Sequence, residues 1–225
     1  MLRPMRLAVL GDIHAEHLRL EVALRFFANK GVDQILFVGD VVDGAGDPTA
    51  CFAMLDDAKA LGVLGNHERW ITAGTMRTLP GAHALGQLDA RALGLMRALP
   101  KTRSFETPQG RLLLCHGVGE DDMQRLRPDD DDYALRCNDP LQALLREGAH
   151  AFMVGGHTHE RMVRSFEELV VINAGTLARE HPEAGVVIID LGAGEATFHT
   201  FAGEALVLAD VCPLRRRDTG IGLSG

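Results

Sequence analysis

Arg6-Leu-Ala-Val-Leu10 runs directly into Gly11-Asp12-Ile-His14. A short apolar run, closed by glycine and followed by an acid and a histidine, reads as a buried strand that presents polar side chains at its C-terminal end. The same arrangement recurs along the chain. Gln34-Ile-Leu-Phe-Val38 meets Gly39-Asp40, and the apolar stretch at Leu61 to Leu64 meets Gly65-Asn66-His67-Glu68. Arg111 to Cys115 delivers His116-Gly117, and Ala151 to Val154 delivers Gly155-Gly156-His157-Thr158-His159. There is no true internal repeat. What recurs is a strand, a glycine and residues of metal-ligand type.

The intervening segments supply the rest of an α/β chain. Leu18, Val22 and Phe26 lie at near-helical spacing and predict a helix over 18–29, stopped by Gly31. Trp70 to Met76, Asp89 to Leu99 and Pro140 to Arg146 also read as helices, with Pro80-Gly81 and Pro100 as breakers. Arg103 to Glu106 and Arg111 to Cys115 read as a hairpin about Pro108-Gln109-Gly110. Val170 to Ile172, Val186 to Leu191 and Thr197 to Phe201 are spaced too closely for crossover helices, so the last third is expected to be mostly antiparallel.

With 225 residues, one domain over 1–213 and a polar tail over 214–225 are expected. The composition, 46% hydrophobic and 24% charged, excludes an intrinsically disordered chain. The 31 acidic residues outnumber the 23 basic ones, leaving a net charge of −8, so no global positive field exists to hold polymeric nucleic acid. Neither a long apolar span nor a secretory leader is evident in the sequence, which predicts a cytoplasmic protein without membrane contact. Cys51, Cys115, Cys137 and Cys212 form no C-x-x-C pair, so reduced thiols are expected rather than a zinc ribbon or a disulfide framework.

Carboxylates and imidazoles collected at one edge of a sheet make a mixed oxygen and nitrogen site for divalent metal. Taken in order, Asp12-Ile-His14, Gly39-Asp-Val-Val-Asp43, Gly65-Asn-His-Glu68, His116 and Gly156-His-Thr-His159 resemble the motif set of the calcineurin-like metallophosphoesterases. Asn173-Ala-Gly-Thr176 resembles a further loop of small bacterial members. The resemblance implies a four-layer α/β/β/α sandwich of two mixed sheets flanked by helices. It also implies two divalent transition metals, manganese foremost, with Fe, Zn²⁺, Ni²⁺ or Co²⁺ as alternatives. One would be held by Asp12, His14, Asp40 and His159, the other by Asp40, Asn66, His116 and His157, with Asp40 as the bridge. A metal-bridging hydroxide would attack the phosphorus of a small phosphomonoester or phosphodiester. His67 would serve the leaving oxygen and Asp43 would orient His67.

Two further readings belong to the same resemblance. The first is a serine/threonine phosphoprotein or dinucleoside polyphosphate phosphatase, but those members carry phosphate-gripping arginines where this chain has Gly44 and Leu64. Many small bacterial phosphodiesterases have cysteine at the His67 position, and Ala15-Glu16-His17 replaces a common Gly-Asn. The second is a non-catalytic scaffold, and scaffolds tend to lose the histidines that are all present here. Asp129 to Asp132 and Arg215 to Arg217 are read as solvated surface, and Trp70 either as core or as a cover beside the His67 loop. Substrate identity and oligomeric state have no signature in the sequence.

Overall fold

The computed structural model describes residues 5–75, 78–79 and 81–215. Residues 216–225, Arg216 and Arg217 among them, lie outside the described residues, as does Met76.

β1 (Arg6–Leu10) pairs parallel with β2 (Gln34–Phe37) and antiparallel with β9 (Gly185–Asp190). With β3 (Leu61–Gly62), β10 (Glu195–Ala202) and β11 (Ala205–Pro213) they form a six-stranded sheet ordered β11-β10-β9-β1-β2-β3. A second sheet of five strands is ordered β4-β5-β6-β8-β7. Its members are β4 (Arg103–Phe105), β5 (Leu112–Leu114), β6 (Phe152–Gly155), β7 (Arg161–Phe166) and β8 (Leu169–Ala174).

Alternation along the strands explains the layering. Leu7 and Val9 enter a core between the sheets with Leu36, Leu112, Val154 and Ile172, whereas Ala8 and Leu10 face the other way. That outer face packs on α1 (His17–Ala28), α2 (Pro48–Asp57) and α4 (Ala90–Ala98) through Leu20, Phe27, Phe52 and Met96. On the far side Leu113, Met153 and Val171 meet Leu141 and Leu144 of α6 (Asp139–Glu147). Both faces of β1 are therefore buried from Leu7 to Leu10, which is why that stretch is continuously apolar. The four-layer α/β/β/α sandwich of two mixed sheets stands as expected.

Several local expectations shift. The helix expected to start at Trp70 is α3 (Asn66–Thr72), so Asn66 and His67 occupy its first turn instead of a loop. The reason is Glu68, whose side chain returns to accept the Gly65 N–H at 3.0 Å and starts the helix one turn earlier. The last third is mostly antiparallel, with the exception of the parallel β6–β8 pair. Helix α2, the short α5 (Asp132–Arg136) and strands β7 and β11 are additional elements. Within the aspartate run, Asp131 caps α5 by accepting from Ala134 N at 2.8 Å, and Asp129, Asp131 and Asp132 are exposed. No helix among the described residues is long and apolar enough to cross a membrane.

Candidate metal centre

The strand ends from both sheets bring Asp12, His14, Asp40, Asn66, His116, His157 and His159 to one edge of the sandwich. Close backbone approach makes this possible. A Cβ on Gly65 would lie 2.1 Å from Asp40 Oδ1, and one on Gly11 would lie 1.9 Å from the Gly175 carbonyl. Backbone strain gathers here as well. His14, Asp40, Asp43, His157 and His159 all have positive φ, a conformation that costs non-glycine residues about 1–3 kcal/mol and persists only where surrounding contacts hold it.

Asp40 is the centre of the arrangement. Its Oδ2 lies 3.2 Å from His116 Nε2 and 3.7 Å from His67 Nε2, while Oδ1 accepts the His67 N–H at 3.0 Å. Two sets of potential ligand atoms share it: His14, Asp40 and His67 form one, and Asp40, His116 and His157 form the other. Burial opposes the Asp40 charge, but His116, His67 and His14 outweigh it and hold the carboxyl far below the usual range.

The ring nitrogens are prepared for a cation. His116 donates Nδ1–H to the Val38 carbonyl at 2.8 Å, which turns Nε2 toward Asn66 Oδ1 at 2.8 Å and toward Asp40. Acceptors on every side of a ring nitrogen are satisfied only by a proton or a metal. Burial works against a charge on His116, yet Asp40 raises its pKa to about 10, so a metal has to displace a proton there. His14 donates Nδ1–H to the Asp43 carbonyl at 2.8 Å, leaving its Nε2 only 3.1 Å from Nε2 of His159. His157 Nε2 is buried without a hydrogen-bond partner among the described residues, and burial lowers the pKa values of both His157 and His159. Convergent imidazoles, an orphaned buried nitrogen and a shared carboxylate fit divalent metal.

His67 occupies the rim of this centre. Its Nδ1 is 2.7 Å from Asp43 Oδ2, and Trp70 packs on it with ring centroids 4.9 Å apart. Burial disfavours the His67 cation, but the Asp43 hydrogen bond and the Asp40 charge prevail and raise its pKa. Asp43 thus steers two histidines, His67 through its carboxylate and His14 through its carbonyl. Asp43 is fixed in turn by His83, whose N–H donates to Oδ1 at 2.8 Å and whose Nδ1 accepts the Asp43 N–H at 3.0 Å.

Three supports have partners that the sequence reading did not assign. Glu68, fully buried, accepts N–H bonds from Asp40, Val41, Val42 and Gly65 at 2.7–3.0 Å. Burial and the Asp40 charge push its pKa up, while the N–H bonds pull it back. Its place beside Asn66-His67 was visible, but its partners were not. His83 had no signal beyond lying in a loop. Glu16 and Arg179 form a two-pronged ion pair at 2.7 Å per contact, tying the segment after β1 to the segment after β8. Asn173 holds the His157–His159 turn by donating Nδ2 to the Gly156 carbonyl at 2.6 Å. A cavity of about 570 Å³ opens at this edge, lined in part by His14, Asp43, His67, His159 and His181.

Comparison with known proteins places this geometry in a family. The calcineurin-like phosphoesterase superfamily domain matches residues 5–194. A protein of Methanocaldococcus jannaschii, uncharacterized protein MJ0912, is 34% identical over 62 residues. That match spans 28% of this chain and only 26% of the relative, so the chain aligns with about a quarter of that protein's length. Among solved structures, a metallophosphoesterase from Sphaerobacter thermophilus superposes with a TM-score of 0.63 at 21% identity, covering 87% of each chain. Yfce, a phosphoesterase from E. coli, gives 0.58 at 17% identity over 94% of this chain and 100% of its own. Wild-type Vps29 of Entamoeba histolytica, complexed with Zn²⁺, gives 0.54 at 14% identity over the same shares. These likenesses are of fold. By the span of the family match, this chain belongs to the calcineurin-like phosphoesterase superfamily.

Proposed function

We propose that this protein is a metal-dependent hydrolase of small phosphate esters, mono or di. The observation that carries the reading is the sharing of Asp40 between two converging sets of ligand atoms beside an open cavity. Asp12, His14, Asp40 and His159 would hold one divalent cation, and Asp40, Asn66, His116 and His157 the other. Bound there, the pair supplies Lewis-acid charge that activates water and offsets the charge building on the phosphoryl oxygens. Manganese is the proposed occupant by the family resemblance, since a mixed oxygen and nitrogen donor set also accepts Fe, Zn²⁺, Ni²⁺ or Co²⁺.

The chain's own residues complete the chemistry. With Nδ1 engaged by Asp43, His67 keeps Nε2 for the leaving oxygen, and its raised pKa favours the protonated form that an acid requires. Asp43 and His83 hold that ring in place. Trp70 restricts water on one side of it.

The test is a screen of manganese-loaded protein against phosphomonoesters, phosphodiesters, cyclic nucleotides and dinucleoside polyphosphates. Metal-dependent turnover of one or more classes, with about two metals per chain, is expected. Absence of turnover across the panel at full metal occupancy would favour a binding role and reject the hydrolase.

A further inference from the structure

We infer that His181 is a substrate-contacting residue that donates Nε2–H to a non-bridging phosphoryl oxygen; this rests on the phosphoesterase reading and deepens it. His181 lines the same cavity as His14, His67 and His159 and lies outside the motifs that supply those residues. Among the described residues lining the cavity there is no lysine or arginine, and Glu16, Asp43 and Glu180 are acidic. A phosphate ester therefore meets few donors other than imidazoles on the cavity wall.

The local backbone decides what His181 offers. The Glu183 N–H, an obligatory donor, points at His181 Nδ1 at 3.2 Å. Nδ1 must then accept, and in the neutral ring the proton resides on Nε2. His181 thus presents a donor to the cavity without needing a positive charge.

Its segment is also held in place, which a binding residue requires. Arg179 is clamped to Glu16 through both side-chain contacts and through its backbone N–H at 3.1 Å. Arg19 donates to the Leu177 carbonyl at 3.0 Å, and the Thr176 hydroxyl donates to the Asp12 carbonyl at 2.8 Å. The His181 N–H closes the turn on the Ala178 carbonyl at 3.0 Å. The loop that follows β8 is thereby registered to the strand end that carries Asp12 and His14. This linkage gives a physical role to Glu16.

The experiment compares manganese-loaded wild type with His181→Ala and His181→Gln. Calorimetry reads inorganic phosphate binding, steady-state assays with p-nitrophenyl phosphate and its bis ester read KM and kcat, and metal analysis reads occupancy. Gln keeps an N–H₂ donor near the Nε2 position, whereas Ala removes it. His181→Ala should weaken phosphate binding and raise KM by roughly 10- to 150-fold, as expected for one hydrogen bond to a charged acceptor. Occupancy should be unchanged and kcat should move little. His181→Gln should recover most of the loss. Wild-type phosphate affinity and KM in His181→Ala would overturn the assignment, as would equal impairment of Ala and Gln variants or a loss of metal. If wild type itself neither binds phosphate nor turns over either ester, the phosphoesterase reading falls and the His181 role with it.

Discussion

The two halves of the metal centre differ in how they meet solvent. In one half the His116 and Asn66 side chains are buried and hydrogen-bonded to each other, with His157 half-buried beside them. Around His14, His67 and His159 the side chains are partly exposed and line the cavity. On the proposed reading the closed half would hold a cation and the open half would admit a substrate, and the contacts of the open half fix orientation: Asp43 on His14 and His67, His83 on Asp43. Asp40 belongs to both, and Glu68 anchors the turn on which Asp40 sits.

Because Asp40 joins the halves, Asp40→Ala is expected to have the largest effect. It should remove both metals together and reduce turnover to background. Metal analysis that finds one metal retained would show that the halves are independent.

Glu68 comes next, since it supports the shared turn without touching substrate. Glu68→Ala leaves four backbone N–H groups without their carboxylate acceptor. The expected loss of stability is more than about 3 kcal/mol, read by denaturant unfolding. Glu68→Gln should be intermediate, because one of its two acceptors becomes a donor that faces backbone N–H groups. Unchanged unfolding midpoints in both variants would mean that the turn is held by other contacts.

His67 tests the open half alone. His67→Ala should keep both metals and lose roughly 10²- to 10⁴-fold in turnover, the range of a positioned acid. Alkyl esters should suffer more than p-nitrophenyl esters, whose leaving group needs little protonation. Asp43→Asn should give a smaller loss in the same direction. Equal losses for good and poor leaving groups would replace proton donation by charge stabilisation, and loss of metal would move His67 into the ligand shell, where its proximity to His14 and Asp40 makes it a geometric candidate.

The smallest effect is expected far from both halves. Replacing Asp129 to Asp132 by serine should leave turnover within about threefold, since serine retains capping ability at position 131, Asp129 and Asp132 are exposed, and the Asp130 side chain makes a local turn contact by accepting the Arg127 N–H at 2.8 Å. A large fall with intact metal content would show that the acidic loop acts on the site.

Much of this was legible before folding was considered. β1, β2 and β6 stood out because strands buried on both faces are short and continuously apolar. Their glycines marked where chain segments must approach closely. Helix α2 carried a readable start in Asp47-Pro48, with Asp47 accepting from Ala50 N at 3.1 Å, yet its weak apolar periodicity concealed it. β11 was hidden for a different reason: it is an edge strand, mostly exposed, so neither of its faces imposes a clean alternation.

By itself, the local sequence determined an α/β chain and the residue types that follow its strands, because burial and chain reversal leave periodic marks on local sequence, while the layering was implied by the resemblance of its motifs to a family. Tertiary structure alone decided which of those residues cooperate. Glu68 became the anchor of the Asp40 turn, His83 the brace of Asp43, and Arg179 the partner of Glu16 across 163 positions of chain. Such roles depend on hydrogen bonds between segments remote in sequence. A carboxylate, an imidazole or a guanidinium carries the same local signal whether its partner is water or a buried backbone N–H, so only the folded chain distinguishes them.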